Sequence, residues 1–219
     1  MNIESDPSAS LRNETPSSPD EHFPPAANFS DALRQNGWKF QTMHSSIRPV
    51  FTPIRIVAPA YTVRCYAGAT WALEQAIEEA PQGAVLVVDG GGYTEAVLMG
   101  GLMSLRARKR GLAGAIIDGA VRDHQELRQA QWPIFSTAIT PRAGTHDQQG
   151  EWNIPVTCGN VIVHSGDWII ADDDGVVVVP QAIWDETCAT AHAVEKREQQ
   201  IETHLNAGHS IAEAVSRLT

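Results

Sequence analysis

The sequence predicts an α/β fold, a compact single-domain sandwich of strands and helices. Three observations carry this. The runs at 84–89 and 114–118 are almost wholly apolar, as expected of strands covered on both faces. Helical stretches with capping residues lie around and between them. From residue 160 onward the pattern changes to strand–turn–strand, so strand and helix do not alternate strictly. With 219 residues, 42% hydrophobic and 19% charged, the chain can bury a core of ordinary size. A net charge of −10 argues against nucleic acid or an anionic membrane as the main partner. No apolar run approaches the ~18–20 residues that span a bilayer. No basic stretch followed by an apolar one marks a secretory signal, so a cytoplasmic location is expected. Cys65, Cys158 and Cys188 show no CxxC or zinc spacing, which predicts reduced, mostly buried thiols.

The elements follow in order. Residues 1–27 are rich in Ser, Pro and acids and poor in apolar side chains, which predicts a disordered tail ahead of a domain over 28–219. Ser30 is the expected N-cap of the first helix. Strands are expected at 54–58 and 60–67, divided by Pro59. A helix follows over 70–79 with Trp71, Leu73 and Ile77 on its apolar side, stopped by Pro81. The 84–89 strand leads into Gly90, Gly91 and Gly92. These lack the third glycine of a dinucleotide fingerprint, since Glu95 stands there, and a tight turn explains them. The next helix is expected over 94–110. Its last turn carries Arg106, Arg108, Lys109 and Arg110, which complement the helix dipole, and Gly111 suits the end. A strand at 114–118, a helix at 123–130 and a strand at 134–137 come next. Strands are then expected at 161–164, 168–171 and 175–179. The Asp172–Asp173–Asp174–Gly175 run lacks calcium-loop spacing and reads as a hairpin turn. Pro180 opens a long helix to 206, and Ser210 with Glu213 forms a capping box for a last short one.

The chemistry gathers between Gly100 and Asp123. Gly100 and Gly101 let a small ligand approach the backbone, and the unpaired N–H groups of a helix start receive an anion such as a carboxylate. Arg122 offers a planar fork of donors and Asp123 a hard oxygen for a divalent metal. Together these suit a 2-oxo acid whose keto oxygen is polarised. A surface ion pair after a strand accounts for the same two residues and is worth only ~0–1 kcal/mol.

The run from Leu112 to Asp123, LAGAIIDGAVRD, resembles the RraA-like proteins. So do segments 30–33, 58–63, 88–92, 140–142 and 171–180, in the same order. That family includes class II aldolases acting on 4-hydroxy-4-methyl-2-oxoglutarate and 4-carboxy-4-hydroxy-2-oxoadipate, oxaloacetate decarboxylases, and regulators of RNase E activity. The resemblance covers Phe29 to the C-terminus. It implies a layered β/β/α swivelling-type sandwich assembled as a homotrimer or a pair of trimers. It implies a Mg2+ or Mn2+ held at Asp123 and an enolate oxygen stabilised by Arg122. The pyruvate carboxylate would sit on backbone N–H groups near Leu102 and Met103, beside Gly100 and Gly101. By spacing, a further acid supplied by a neighbouring subunit's C-terminal helix falls on Glu198; an ordinary solvated helix position accounts for that residue as well.

The chain departs from the family pattern at one important place. The aldolases carry an acid where Gly101 stands, and Glu95 or Asp89 is the available substitute. An Asp usual before Leu73 is replaced by Ala69–Thr70, and Glu74 stands where the family often has His. Aldol cleavage needs a base for the substrate hydroxyl, whereas decarboxylation needs only a stabilised enolate. Three readings follow: a divalent-metal lyase on 2-oxo acids, a non-catalytic regulator of the RNase-inhibitor type, and a small-acid sensor without turnover.

Overall fold

The computed structural model describes residues 22–146 and 150–218. Its centre is an eight-stranded sheet. Strands β1 (Arg48–Pro49), β2 (Arg55–Arg64), β3 (Val85–Met99), β4 (Gly114–Val121), β5 (Ile134–Ile139), β9 (Trp168–Asp172) and β10 (Gly175–Val179) run in the order β1-β5-β4-β3-β2-β9-β10. β6 (Glu151–Trp152) pairs with β2 off this path, and β7 (Val156–Cys158) and β8 (Val161–Val163) form a separate pair. β2, β3, β4 and β5 are parallel, while β9 and β10 are antiparallel to their neighbours.

Side chains alternate between the faces with a period of two, and this sorts the apolar residues into layers. Leu86, Val88, Ala115 and Ile117 face the helices α2 (Trp71–Glu79), α3 (Gly101–Lys109) and α4 (His124–Ala130), where they meet Leu73, Ile77, Ala107 and Leu127. Val85, Val87 and Ile116 face the other way, onto Val156, Val163, Ile169, Val176 and Val178. On the far side of the β9–β10 hairpin, Trp168, Ile170, Val177 and Val179 pack against α1 (Ala26–Gln35) and α5 (Trp184–Asn206). The result is a mixed α/β domain of stacked layers with the expected long C-terminal helix. The Asp172–Gly175 turn closes the β9–β10 hairpin. Its carboxylates are engaged by the Ala26, Asp174 and Ile54 N–H groups.

Five expectations are corrected. Pro59 does not divide two strands. β2 runs through it, pairing with β9 over Arg55–Pro59 and with β3 over Ala60–Arg64. The change of partner falls at the residue that lacks an N–H. Ser30 is not an N-cap, because α1 begins at Ala26 after Pro25 and the Ala26 N–H is capped by Asp172 Oδ2 at 2.8 Å. That cap comes from a distant hairpin, beyond the reach of local spacing. Phe23 and Ala26 are buried, so packed structure begins ahead of residue 28. The remainder of the expected tail, residues 1–21, lies outside the described residues. The helix expected from 94 starts only at Gly101, because β3 continues to Met99. Val97 and Met99 pair with Ala120 and Val121 of β4 across register shifts, and this pairing overrides local helical preference. Finally, Pro180 opens a short 3-10 turn, and α5 proper starts at Trp184. The capping box of Ser210 and Glu213 is present at the start of α6 (Ile211–Ser216).

Gly90 allows β3 to press against β4: a Cβ there would lie 2.6 Å from the Asp118 carbonyl oxygen. Gly91 and Gly92 take left-handed backbone angles where the first register shift occurs. Cys65 and Cys158 are buried thiols. Burial pushes the Cys65 thiol up to about 12, and burial followed by the nearby Asp118 and Asp89 charges raises that of Cys158, so neither is a nucleophile at neutral pH.

Candidate functional site

The site forms where the parallel strands β3 and β4 end at their carboxyl termini, the usual place for ligands in open α/β sheets. β3 delivers Gly100 as the N-cap of α3, and β4 delivers Arg122 and Asp123. The two strand ends are tied by the Arg122 N–H donating to the Met99 carbonyl at 3.1 Å. Asp123 has left-handed backbone angles (φ 59°, ψ 37°) and stands as the N-cap of α4. Its carboxylate does not cap that helix. Asp123 Oδ2 instead accepts the Gly101 N–H at 2.9 Å and lies 3.6 Å from Arg122 Nε. A strained conformation of a non-glycine residue is thus spent on aiming one carboxylate across the site.

Gly100 leaves room for both side chains. Its own backbone is extended, which any residue adopts, but a Cβ would stand 2.6 Å from Asp123 Oδ2 and 3.2 Å from Arg122 Nε. Gly100→Ala is therefore expected to displace the two functional side chains while leaving the core untouched. Turnover or ligand affinity should fall at least ~10-fold, with a thermal midpoint close to that of the parent. Parallel activity and melting measurements check it.

The start of α3 leaves backbone N–H groups without an intrahelical partner. Ser104 N–H is the first to bond back into the helix, onto the Gly100 carbonyl at 3.0 Å, and Gly101 N–H goes to Asp123. Between them lie the N–H groups of Leu102 and Met103, two of the four that open any α-helix without an intrahelical acceptor. The structure therefore brings Gly100, Gly101, Leu102, Met103, Arg122 and Asp123 to one place. The Arg122 and Asp123 side chains are 41% and 37% exposed, so a ligand can reach both.

Glu198 is not part of this group within the chain. It is exposed on α5 and accepts a hydrogen bond from Asn28 Nδ2 at 2.5 Å. Glu95 is also displaced from its expected place. It lies on the bulged second half of β3, hydrogen-bonded to the Thr94 hydroxyl at 3.3 Å. Asp89 is engaged by the Gly91 N–H at 3.1 Å and lies 3.7 Å from Arg64 Nε. Glu74 does have a histidine beside it, since His146 Nδ1 lies 3.2 Å from its carboxylate. The cations at the end of α3 are partly spoken for: Arg106 makes a two-pronged pair with Glu78, and Arg110 donates to the Glu78 carbonyl.

One residue at the site was missed by sequence reasoning. The Glu126 carboxylate, from the first turn of α4, lies directly over Gly101, in the space a side chain at 101 would enter. The sequence signal for it is the Asp-x-x-Glu spacing from Asp123, which reads as a capping box.

Asp123 Oδ1 has no protein partner among the described residues, so this carboxylate is open to a cation. Among those residues no group of three or more His, Cys, Asp or Glu side chains surrounds a common point. One open carboxylate suits Mg2+ or Mn2+, which retain several waters and take substrate oxygens, and does not suit an ion held by an all-protein cage.

These features define a class: a single-domain α/β protein with a helix N-terminus, a guanidinium and a carboxylate gathered at the ends of its central strands. The model of the RraA-like family, described as Aldolase/RraA, matches residues 26–178, and the chain belongs to that family. A relative from Halalkalibacterium halodurans named "Putative 4-hydroxy-4-methyl-2-oxoglutarate aldolase" is 34% identical over 157 residues, covering 72% of this chain and 73% of its own. Among solved structures, an uncharacterized protein from Pseudomonas syringae pv. tomato superposes with a TM-score of 0.79 at 26% identity, covering 87% of this chain and 92% of that one. The RNA-processing inhibitor RraA from Thermus thermophilus gives a TM-score of 0.62 at 29% identity, covering 69% of this chain and 92% of that one. The family thus spans proteins named as aldolases and a protein named as an RNA-processing inhibitor. No described helix is long and apolar enough to cross a membrane.

Proposed function

We propose that the protein is a divalent-metal-dependent lyase that cleaves a carbon–carbon bond of a small 2-oxo acid to release pyruvate. The reaction is aldol cleavage of the 4-hydroxy-4-methyl-2-oxoglutarate type, oxaloacetate decarboxylation, or both. The observation that carries this reading is the convergence of Arg122, Asp123 and the start of α3 around Gly100. The substrate carboxylate is seated on the Leu102 and Met103 N–H groups at the positive end of the helix dipole. Arg122 faces the keto oxygen, where its fixed guanidinium stabilises the negative charge that develops as the bond to C3 breaks. Asp123 would hold the Mg2+ or Mn2+, whose contribution is Lewis-acid polarisation of the same keto group. The left-handed backbone of Asp123 and the hydrogen bond from Gly101 keep that carboxylate oriented before substrate arrives.

The site is open in a single chain, and Leu102 and Leu105 on α3 and Ile139, paired with Val121 at the end of β5, are exposed (83%, 45% and 52%). We read these apolar side chains as the seat of a neighbouring subunit in a homotrimer or hexamer, which would also exclude water from the reacting atoms. Within such an assembly Glu198 of one copy is the candidate acid for another copy's site.

Pyruvate release is the test. Oxaloacetate and 4-hydroxy-4-methyl-2-oxoglutarate are each incubated with the protein and Mg2+ or Mn2+, and the protein-free rate is subtracted. Protein-dependent pyruvate formation that EDTA abolishes is the expected result. No pyruvate from either substrate with either metal overturns the lyase reading. In that case the likeness to the Thermus inhibitor favours a regulatory binding protein, which inhibition of an RNase would reveal.

A further inference from the structure

Retro-aldol cleavage requires a group that accepts the proton of the substrate hydroxyl. Asp123, Asp89 and Glu95 are unsuited to this. Asp123 is engaged by the Gly101 N–H and stands beside Arg122, Asp89 is engaged by the Gly91 N–H, and Glu95 lies on the β3 bulge with the Thr94 hydroxyl. Glu126 differs from all three. It is exposed, it makes no hydrogen bond or ion pair among the described residues, and its Oε2 occupies the place a Cβ on residue 101 would take. The glycine and the glutamate are complementary: a side chain at 101 and the carboxylate of Glu126 compete for one volume. The same volume adjoins Asp123, whose Cβ lies 3.6 Å from the position of a Cβ on residue 101.

We propose that Glu126 is the catalytic base for aldol cleavage in this protein, occupying the space opened by Gly101. The inference rests on the lyase reading and narrows it to substrates bearing a 4-hydroxyl. Glu126 takes the proton from the C4 hydroxyl, and the C4–O bond becomes a carbonyl. The electron pair of the C3–C4 bond moves to form C2=C3, and the charge settles on the C2 oxygen facing Arg122. Return of the proton to C3 yields pyruvate and a second carbonyl product, with no external oxidant or reductant. Decarboxylation of oxaloacetate needs no such base, because CO2 leaves as the C3–C4 bond breaks, and this difference supplies the control.

The experiment measures both reactions on the same preparations of wild type, Glu126→Gln, Glu126→Ala and the double variant Glu126→Ala/Gly101→Glu. In Glu126→Gln the ratio of aldol cleavage to decarboxylation should fall ~10²-fold, the usual worth of a positioned base. In the double variant a carboxylate returns to the same volume from the α3 side, and the ratio should recover at least ~10-fold over Glu126→Ala alone. A ratio that does not move in Glu126→Gln, or a double variant with no recovery, overturns the inference while leaving the lyase reading intact. A wild-type protein that decarboxylates oxaloacetate but cleaves no 4-hydroxy substrate does the same. A wild-type protein that forms no pyruvate from either substrate overturns both.

Discussion

Arg122→Ala is expected to lower the rate of pyruvate formation by ~10²–10³, the usual cost of losing one donor to a developing oxyanion. The loss should appear mainly in kcat, because the substrate carboxylate is seated elsewhere, on the N–H groups of α3. Arg122→Lys is expected to recover little. A point charge on a flexible stem does not reproduce a planar fork held by the strand end, where the Arg122 N–H is fixed to the Met99 carbonyl. The fold should be unaffected by either change. The side chain is 41% exposed and its contact with Asp123 is 3.6 Å long, so the pair contributes at most ~1 kcal/mol to stability. Steady-state kinetics together with urea titration separate the two effects.

The largest expected loss of stability comes from Phe29→Ala, on the opposite face of the molecule. Phe29 is fully buried and stacks on Trp184 at 5.7 Å, and Trp184 stacks on Trp168 at 4.2 Å. This column joins α1, α5 and β9, each contributing one ring. Leu33, Ile170, Val179 and Ala191 fill the space around it. Removing the ring leaves a cavity that rigid strands cannot collapse to fill, at a cost of ~3–5 kcal/mol. The urea midpoint should fall with an unchanged slope. Phe40→Ala is the control. That ring is 84% exposed, and its loss should change stability by no more than ~0.5 kcal/mol.

Much of this was legible in the residues themselves. The two apolar runs became β3 and β4, the Arg122–Asp123 pair landed at a strand end, and the Ser210–Glu213 cap formed as its spacing required. What could not be read was set by distant partners. The start of α1 depends on Asp172, 146 residues away, whose carboxylate accepts the Ala26 N–H as a cap. The second half of β3 resembles a helix start until β4 claims Val97 and Met99. The insertion of β9 beside β2 is a long-range antiparallel pairing with no local signature. The same holds at the site. Gly101 looked like a lost acid in one dimension, and only the packing of α4 against α3 places the Glu126 carboxylate over it. Glu198, by contrast, was placed through resemblance alone, and within the chain its partner is Asn28.

The central claim is that Asp123, Arg122 and the start of α3 form one seat for a 2-oxo acid and its cation. Calorimetric titration with oxalate, a stable planar mimic of the pyruvate enolate, tests it most directly when run on wild type and Asp123→Asn, each with and without Mn2+. Wild type should bind oxalate at least ~10-fold more tightly when Mn2+ is present, and Asp123→Asn should lose that gain. Equal enhancement in the two proteins, or no oxalate binding by wild type under either condition, would contradict it.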